Sequence, residues 1–240
     1  MAVNIDTVYQ RVLAIANKEQ RGYITPQEFN LLANQAQMQI FEQYFYDITQ
    51  FERIPGNAES FADPIEILEE KIALFEYQNV TVVGGTTLSA DLYRLNNVLY
   101  NGIEADYVSI KDWMRIKNHP LLRPHDNRPI YTRKGTGIEV FGHDATDLSY
   151  EQKTSNVTCD YIKIPTKVEW AYTVVPFAGS SNNEYPLYNS ANAVNFELHR
   201  SEETSLIFRI LELAGVMIKD PDLYQAGSSM KTQEIQQEKQ

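Results

Sequence analysis

The chain has 240 residues, 43% of them hydrophobic and 22% charged, an ordinary globular composition that excludes a disordered, collagenous or disulfide-framework protein. Its 21 Lys and Arg against 32 Asp and Glu leave a net charge of -11, which excludes a general positive field for nucleic acid; phosphate binding would need a local basic patch. The single cysteine, Cys159, rules out an intramolecular disulfide and a cysteine-based zinc site, and it fits a reducing cytoplasm.

Apolar spacing at Ile5, Val8, Tyr9, Val12, Leu13 and Ala16 predicts a first helix. Thr25-Pro26-Gln27-Glu28 predicts the start of a second, because Thr25 can cap it, Pro26 suits its first position and Glu28 can close a capping box. That helix carries Phe29, Leu32, Ala33, Ala36 and Ile40, then Phe41, Tyr44, Phe45 and Tyr46. A third begins at Asp63-Pro64 with Ile65, Leu68, Ile72 and Phe75 on one face. The period then changes. Val80 to Val83 reads as a strand, and Leu95–Tyr100 with Ile103–Val108 reads as a hairpin about Asn101-Gly102, residues that tolerate positive φ. Ser109 can cap a short helix through Trp113 and Ile116. Pro129–Arg133 with Ile138–Phe141 is a second hairpin, Val157–Ile164 an alternating strand, and Trp170–Val175 a further one. A loop of about 17 residues follows, a length that is usually functional. Ser201-Glu202-Glu203 opens the last helix, with Leu206, Ile207, Ile210, Leu211, Ala214, Met217 and Ile218 as its stripe.

The expected fold is α+β: N-terminal helices, a central small antiparallel β region with a short helix, and a C-terminal helix with a flexible tail. As one elaborated domain it divides into a helical region over 1–76, a β-rich region over 77–200 with a long loop at 177–195, a C-terminal helix over 201–226 packing on the body, and a tail over 227–240. The opening residues show no apolar signal-peptide core, and no stretch approaches the roughly 18 apolar residues of a membrane span. A soluble protein made inside the cell, without membrane contact, is the expectation.

No catalytic constellation is complete in the sequence. Val83-Gly84-Gly85-Thr86-Thr87 has the small residues of a phosphate loop but not the lysine of GxxxxGK[ST], so a hairpin turn is the favoured reading. His119, His125, His143 and His199 never fall at the i, i+4 spacing of a helical metal pair. Asp144 and Asp147 lack the rest of a calcium-loop ladder. Cys159 reads as a small buried hydrophobe rather than a nucleophile. No metal, no cofactor and no enzymatic activity are expected.

Charge is polarised instead. Residues 1–76 hold 5 basic and 12 acidic side chains, residues 77–200 hold 12 and 13, and residues 201–240 hold 4 and 7. Lys111, Arg115, Lys117, Arg123, Arg128, Arg133 and Lys134 stand against only Asp112 and Asp126. Two readings stand: a contact surface for DNA phosphates or an acidic protein face, or a solvated stretch split over both sides of a hairpin. Glu59, Asp63, Glu66, Glu69, Glu70 and Glu76 against Lys71 form the complementary block. The two blocks can meet within one subunit, or between neighbours head to tail, the unlike contact that builds rings.

The segment "NIDTVYQRVLAIANKEQRGYITPQEFNLLANQAQMQIFEQYF" resembles the N-terminal region of many tailed-phage virion proteins, including those of crAss-like and marine phages. The resemblance continues through "LYRLNNVLYNGIEADYVSIKDWMRIKNHPLLRP", "RPIYTRKGTGIEVF" and "VTCDYIKIPTKVEW" to "NSANAVNFELHRSEETSLIFRILELAGVMIKDPDLYQAG", spanning about Asn4 to Gly227. It implies a non-enzymatic subunit of a neck ring or head-tail connector adaptor, a homo-oligomer with twelvefold symmetry as its expected count. Its partners would be further copies of itself, the portal and other neck or tail rings. Genomic DNA would pass through during ejection only as cargo. The protein would sit in the neck or tail region of the virion, assembled in the host cytoplasm. The alternatives are a tail or capsid-associated structural protein, or an intracellular nucleic-acid-binding module using residues 111–134. Tyr185, Leu187 and Tyr188 are the expected anchors of the loop in assembly, the competing reading being packing on their own domain, and Leu223 and Tyr224 are expected to anchor the tail to the body or to a partner.

Overall fold

The computed structural model describes residues 3–18, 24–51, 64–117, 119, 122–143, 151–176, 184–218, 225, 227–230 and 232–233. In chain order the elements are α1 (Ile5–Lys18), α2 (Pro26–Phe51), α3 (Pro64–Ala73), β1 (Glu76–Thr81), β2 (Leu92–Tyr100), β3 (Ile103–Glu104), β4 (Asp106–Tyr107) and α4 (Ile110–Ile116). There follow β5 (Ile130–Lys134), β6 (Gly137–Gly142), β7 (Glu151–Lys153), β8 (Val157–Lys163), β9 (Tyr172–Pro176), β10 (Glu184–Tyr188), a 3-10 turn (Arg200–Glu202) and α5 (Glu203–Ile218). The protein is α+β, as its patterning predicts. It divides into two compact units, residues 1–74 with 165–240, and residues 75–164.

In the first unit the start signals act as expected. The Thr25 amide and hydroxyl both donate to Glu28 Oε2, at 2.9 and 2.7 Å, and the Glu28 amide donates back to Thr25 Oγ1 at 3.3 Å. These bonds from Thr25, its backbone first, hold the Glu28 carboxyl below the usual range. The buried stripe of α1 (Ile5, Val8, Tyr9, Val12) meets that of α2 (Phe29, Leu32, Ala33, Ala36, Ile40, Phe41) and that of α5 (Leu206, Ile207, Ile210, Leu211, Ala214) in one apolar core.

A second packed face of α2 is polar and half-buried, with Gln37 fully buried, and amphipathic patterning does not anticipate it. Asn30, Asn34 and Gln37 stand at i, i+4 and i+7 and form an amide ladder to the extended backbone of 166–170. Asn34 Oδ1 accepts from the Val168 amide and its Nδ2 donates to the Val168 carbonyl, both at 2.9 Å. Asn30 treats Trp170 in the same way, at 2.8 and 3.3 Å, and Gln37 Nε2 donates to the Thr166 carbonyl at 2.8 Å. Seven helical residues rise about 10 Å and four extended residues about 13 Å, near enough for flexible amides to bridge the difference. The helix thus supplies what a neighbouring strand would supply. Trp170, buried beyond the ladder, packs against Tyr9 with ring centroids 4.4 Å apart and planes tilted by 47°, and donates its Nε1 hydrogen to Asp6 Oδ1 at 2.9 Å.

This ladder corrects the expected β-rich region over 77–200. The boundary falls at Ile164/Pro165, because the backbone groups of 166–170 find their partners on α2. The expected loop over 177–195 is likewise corrected, since Glu184–Tyr188 is strand β10, paired antiparallel with β9 from Glu184↔Pro176 to Tyr188↔Tyr172. Residues 227–230, at the start of the stretch expected as a tail, are helical, and Gly227 lies against the Glu212 backbone of α5.

The second unit holds two four-stranded sheets, β1-β8-β2-β3 and β4-β5-β6-β7. Their inner residues, among them Leu95, Val98, Tyr131, Ile138, Val140 and Cys159, make one core. Asn101 (φ 50) and Gly102 (φ 81) form the expected turn from β2 to β3. The hairpin partner predicted over Ile103–Val108 is shorter than expected, because the chain changes sheets at buried Ala105. Asp106 and Tyr107 then pair parallel to Ile130 and Tyr131. This short pair is the parallel one in an otherwise antiparallel region; it requires a crossover, which α4 provides between β4 and β5. Ser109 caps α4, accepting from the Asp112 amide at 3.2 Å. Gly84 and Gly85 adopt positive φ in a tight Val83–Thr87 turn, where a Cβ on Gly85 would come within 2.5 Å of the Thr154 Cα.

Cys159 is buried on β8, paired with Val80 on one side and Val98 on the other. Burial, and secondarily the Asp160 carboxylate, pushes its thiol up to about 11. At pH 8 only about one molecule in a thousand would carry the reactive thiolate. A charged aromatic disulfide reagent should therefore leave the folded protein unlabelled at pH 8 and titrate one thiol in urea. Rapid labelling without urea would mean that β8 opens readily from its sheet.

Candidate assembly surfaces

The basic block does not form one uniform patch. Lys111, Arg115 and Lys117 lie exposed on α4 and at its C-terminal end, Arg123 and Arg128 on the following loop, and Arg133 and Lys134 on β5. Local carboxylates answer three of them. Arg128 Nε lies 3.2 Å from Asp106 Oδ2, Lys134 Nζ 2.7 Å from Glu139 Oε1, and Arg115 Nη1 a looser 3.9 Å from Asp112 Oδ1. Arg133 stands over the Tyr107 ring at 5.9 Å, and Arg123 is half-buried. The solvated-stretch reading describes the β5 end. The α4 end keeps an outward row of cations, and it carries two apolar residues that the sequence reading passed over: Ile110 and Met114 are 55% and 62% exposed. Their signal was present, since they fall off the buried side that Trp113 defines.

The acidic block is also divided. Glu66, Glu69 and Glu70 are exposed on α3, Glu76 opens β1 in the other unit, and Glu59 and Asp63 lie outside the described residues. Lys71, the one base in the block, turns inward. Its Nζ sits 2.6 Å from Glu202 Oε1, with side chains 14% and 7% exposed, and 5.7 Å from the Tyr44 ring centroid. What remains outward is three carboxylates with Ile67 and Leu74, 49% and 48% exposed, alongside.

The third surface is the β9–β10 hairpin. One face, at Tyr172 and Tyr188, rests on Trp170 through ring stacks at 6.0 and 5.4 Å. Burial, with Asp6 secondarily, raises the Tyr188 hydroxyl above its ordinary range. Tyr188 is therefore partly a packing residue of its own unit rather than a free anchor. Val174 further out on that face, and Tyr185 and Leu187 on the other, are exposed. Leu223 and Tyr224 lie outside the described residues.

Among the described residues, no group of three or more His, Cys, Asp and Glu side chains is placed to hold a metal ion. His125 and His143 stack at 6.1 Å, and buried His143 has no hydrogen-bond partner on either ring nitrogen among the described residues. No helix among those residues is long and apolar enough to cross a membrane. No family model and no curated protein matches the chain.

Proposed function

We propose that the chain is a structural subunit of a phage virion, a ring or adaptor protein of the neck that joins portal to tail around the genome exit channel. The observation that carries this reading is the β9–β10 hairpin. It is a two-stranded sheet exposing Val174 on one face and Tyr185 and Leu187 on the other. Its base rests on Trp170 through Tyr172 and Tyr188, and beyond that base the apolar residues outward on both faces suit an arm that is covered when subunits assemble. Charge supports the same reading. The first unit carries 11 basic and 21 acidic side chains, net -10, and the second 10 and 11, net -1. A wall built from the first unit repels phosphates, so DNA slides past as cargo instead of binding.

The reading is tested by mass spectrometry of purified particles and by imaging of the neck with this subunit labelled. Absence from particles would sink it. The arm makes a narrower prediction. Val174→Ser with Leu187→Ser should leave the melting temperature of the purified chain unchanged and lower its incorporation into particles at least about tenfold, as loss of two interface anchors does. Undiminished incorporation would remove the arm from the assembly surface.

A further inference from the structure

We infer that the outer face of α4 docks on the outer face of α3 of a second copy of this chain. On α4, Ile110 and Met114 stand one helical turn apart, and Lys111 and Arg115 form the neighbouring row about 100° round the axis. On α3 the pattern repeats with the opposite sign: Glu66 and Glu70 form one row, Ile67 and, just past the helix end, Leu74 lie to one side of it, and Glu69 extends the carboxylates on the other. Each face is an apolar row beside a charged row, and the charges are complementary.

Lys71 sharpens the contrast. Because it is committed to Glu202, the outward arc of α3 presents carboxylates without an intervening cation. On α4 the one acid, Asp112, accepts from the capping Ser109 at 2.7 Å and answers Arg115 only loosely at 3.9 Å, so the Lys111 and Arg115 row keeps a net positive charge. Pairing α4 with α4 would set Lys111 and Arg115 against themselves, and pairing α3 with α3 would do the same with Glu66 and Glu70. Only the unlike pairing neutralises both faces while covering the four exposed apolar side chains. A contact between unlike faces can repeat from copy to copy and close into a ring when the rotation allows, or be exchanged reciprocally by two copies, and the sedimentation coefficient of the assembly tells a ring from a pair. The inference rests on the ring reading for that closure, and it adds which faces meet.

The test is sedimentation velocity of the full-length purified chain at low and high salt. Wild type should associate with increasing concentration, more weakly at high salt. Glu66→Lys with Glu70→Lys, and separately Lys111→Glu with Arg115→Glu, should each weaken association at least tenfold. A mixture of the two variants should regain hetero-association, because one variant keeps the native face that the other lacks and each reversed pair repels its native partner. Combining all four reversals in one chain should restore self-association. All these positions are exposed, so melting temperatures should hold; if a reversal unfolds the chain, Glu66→Gln with Glu70→Gln provides the milder variant, with a smaller loss expected. A wild-type chain that stays monomeric at about 100 µM, where even a micromolar contact is well populated, overturns the docking. So does association indifferent to all four reversals, or duplex DNA binding that Lys111→Glu with Arg115→Glu abolishes while self-association persists. Failure of the virion reading is separable: a chain that associates as described but is missing from particles sinks that reading alone, and a monomer found in particles sinks the docking alone.

Discussion

Asn34→Leu should lower the stability of the helical unit by about 3 kcal/mol, because it strands the buried amide and carbonyl of Val168 together, each costing about 1–3 kcal/mol when left unpaired. The reading is the urea midpoint multiplied by the slope of the unfolding curve. Leucine is chosen over alanine because a smaller side chain would admit water to the orphaned groups and mask part of the loss. A change below about 0.5 kcal/mol, the range of ordinary surface substitutions, would show that the ladder is not what holds 166–170 on α2. Gln37→Leu should cost less, since it gives up one donor to Thr166 and one acceptor from Glu197 at a longer 3.3 Å.

The second large effect belongs to Lys71. Lys71→Ala leaves the Glu202 carboxylate buried without its cation, and breaking such a pair from one side costs about 3–5 kcal/mol. Replacing both partners, Lys71→Met with Glu202→Leu, should recover most of the loss and bring the protein within about 1 kcal/mol of wild type, since packed apolar groups need no compensating charge. The neighbouring pair of Arg11 and Glu203, at 2.7 Å but with the Arg11 side chain 56% exposed, is the contrast. Its removal should cost under about 1 kcal/mol. Added salt should weaken it, while the Lys71 pair should hardly respond. If Lys71→Ala is nearly neutral, the pair is open to solvent.

Those two residues also measure how far the sequence could be read. Elements that begin with local chemistry were legible. Thr25-Pro26-Gln27-Glu28 caps a helix through bonds among its own side chains, Ser109 caps another, and Asn101-Gly102 turns because both residues accept positive φ. Elements whose cause lies far along the chain were not. Asn30, Asn34 and Gln37 look like the wet side of an amphipathic helix, and only a segment more than 120 residues away makes them a packed face. Lys71 looks like a solvated charge among acids, and its direction depends on Glu202. The sheet change at Ala105 was invisible because a two-residue strand has no periodicity to detect. The charged blocks were legible as composition, whereas the apolar residues beside them, Ile67, Leu74, Ile110 and Met114, emerge only when the helix faces are known.

The division of the chain bears on its synthesis. Residues 75–164 are inserted between the two parts of the helical unit, and the ends of the insertion meet where the Lys163 amide donates to the Phe75 carbonyl at 2.9 Å. On the ribosome, all partners of the inserted unit have been made once Ile164 emerges. By contrast, α1, α2 and α3 have been exposed since the beginning, with the stripe that receives α5 uncovered until the last third of the chain arrives. The inner unit can therefore be the first to finish, and the outer one closes behind it like a clasp. The α3 face and the β9–β10 hairpin belong to the unit that closes last, whereas the α4 face belongs to the unit that can finish first, so the two sides of the proposed contact mature at different times.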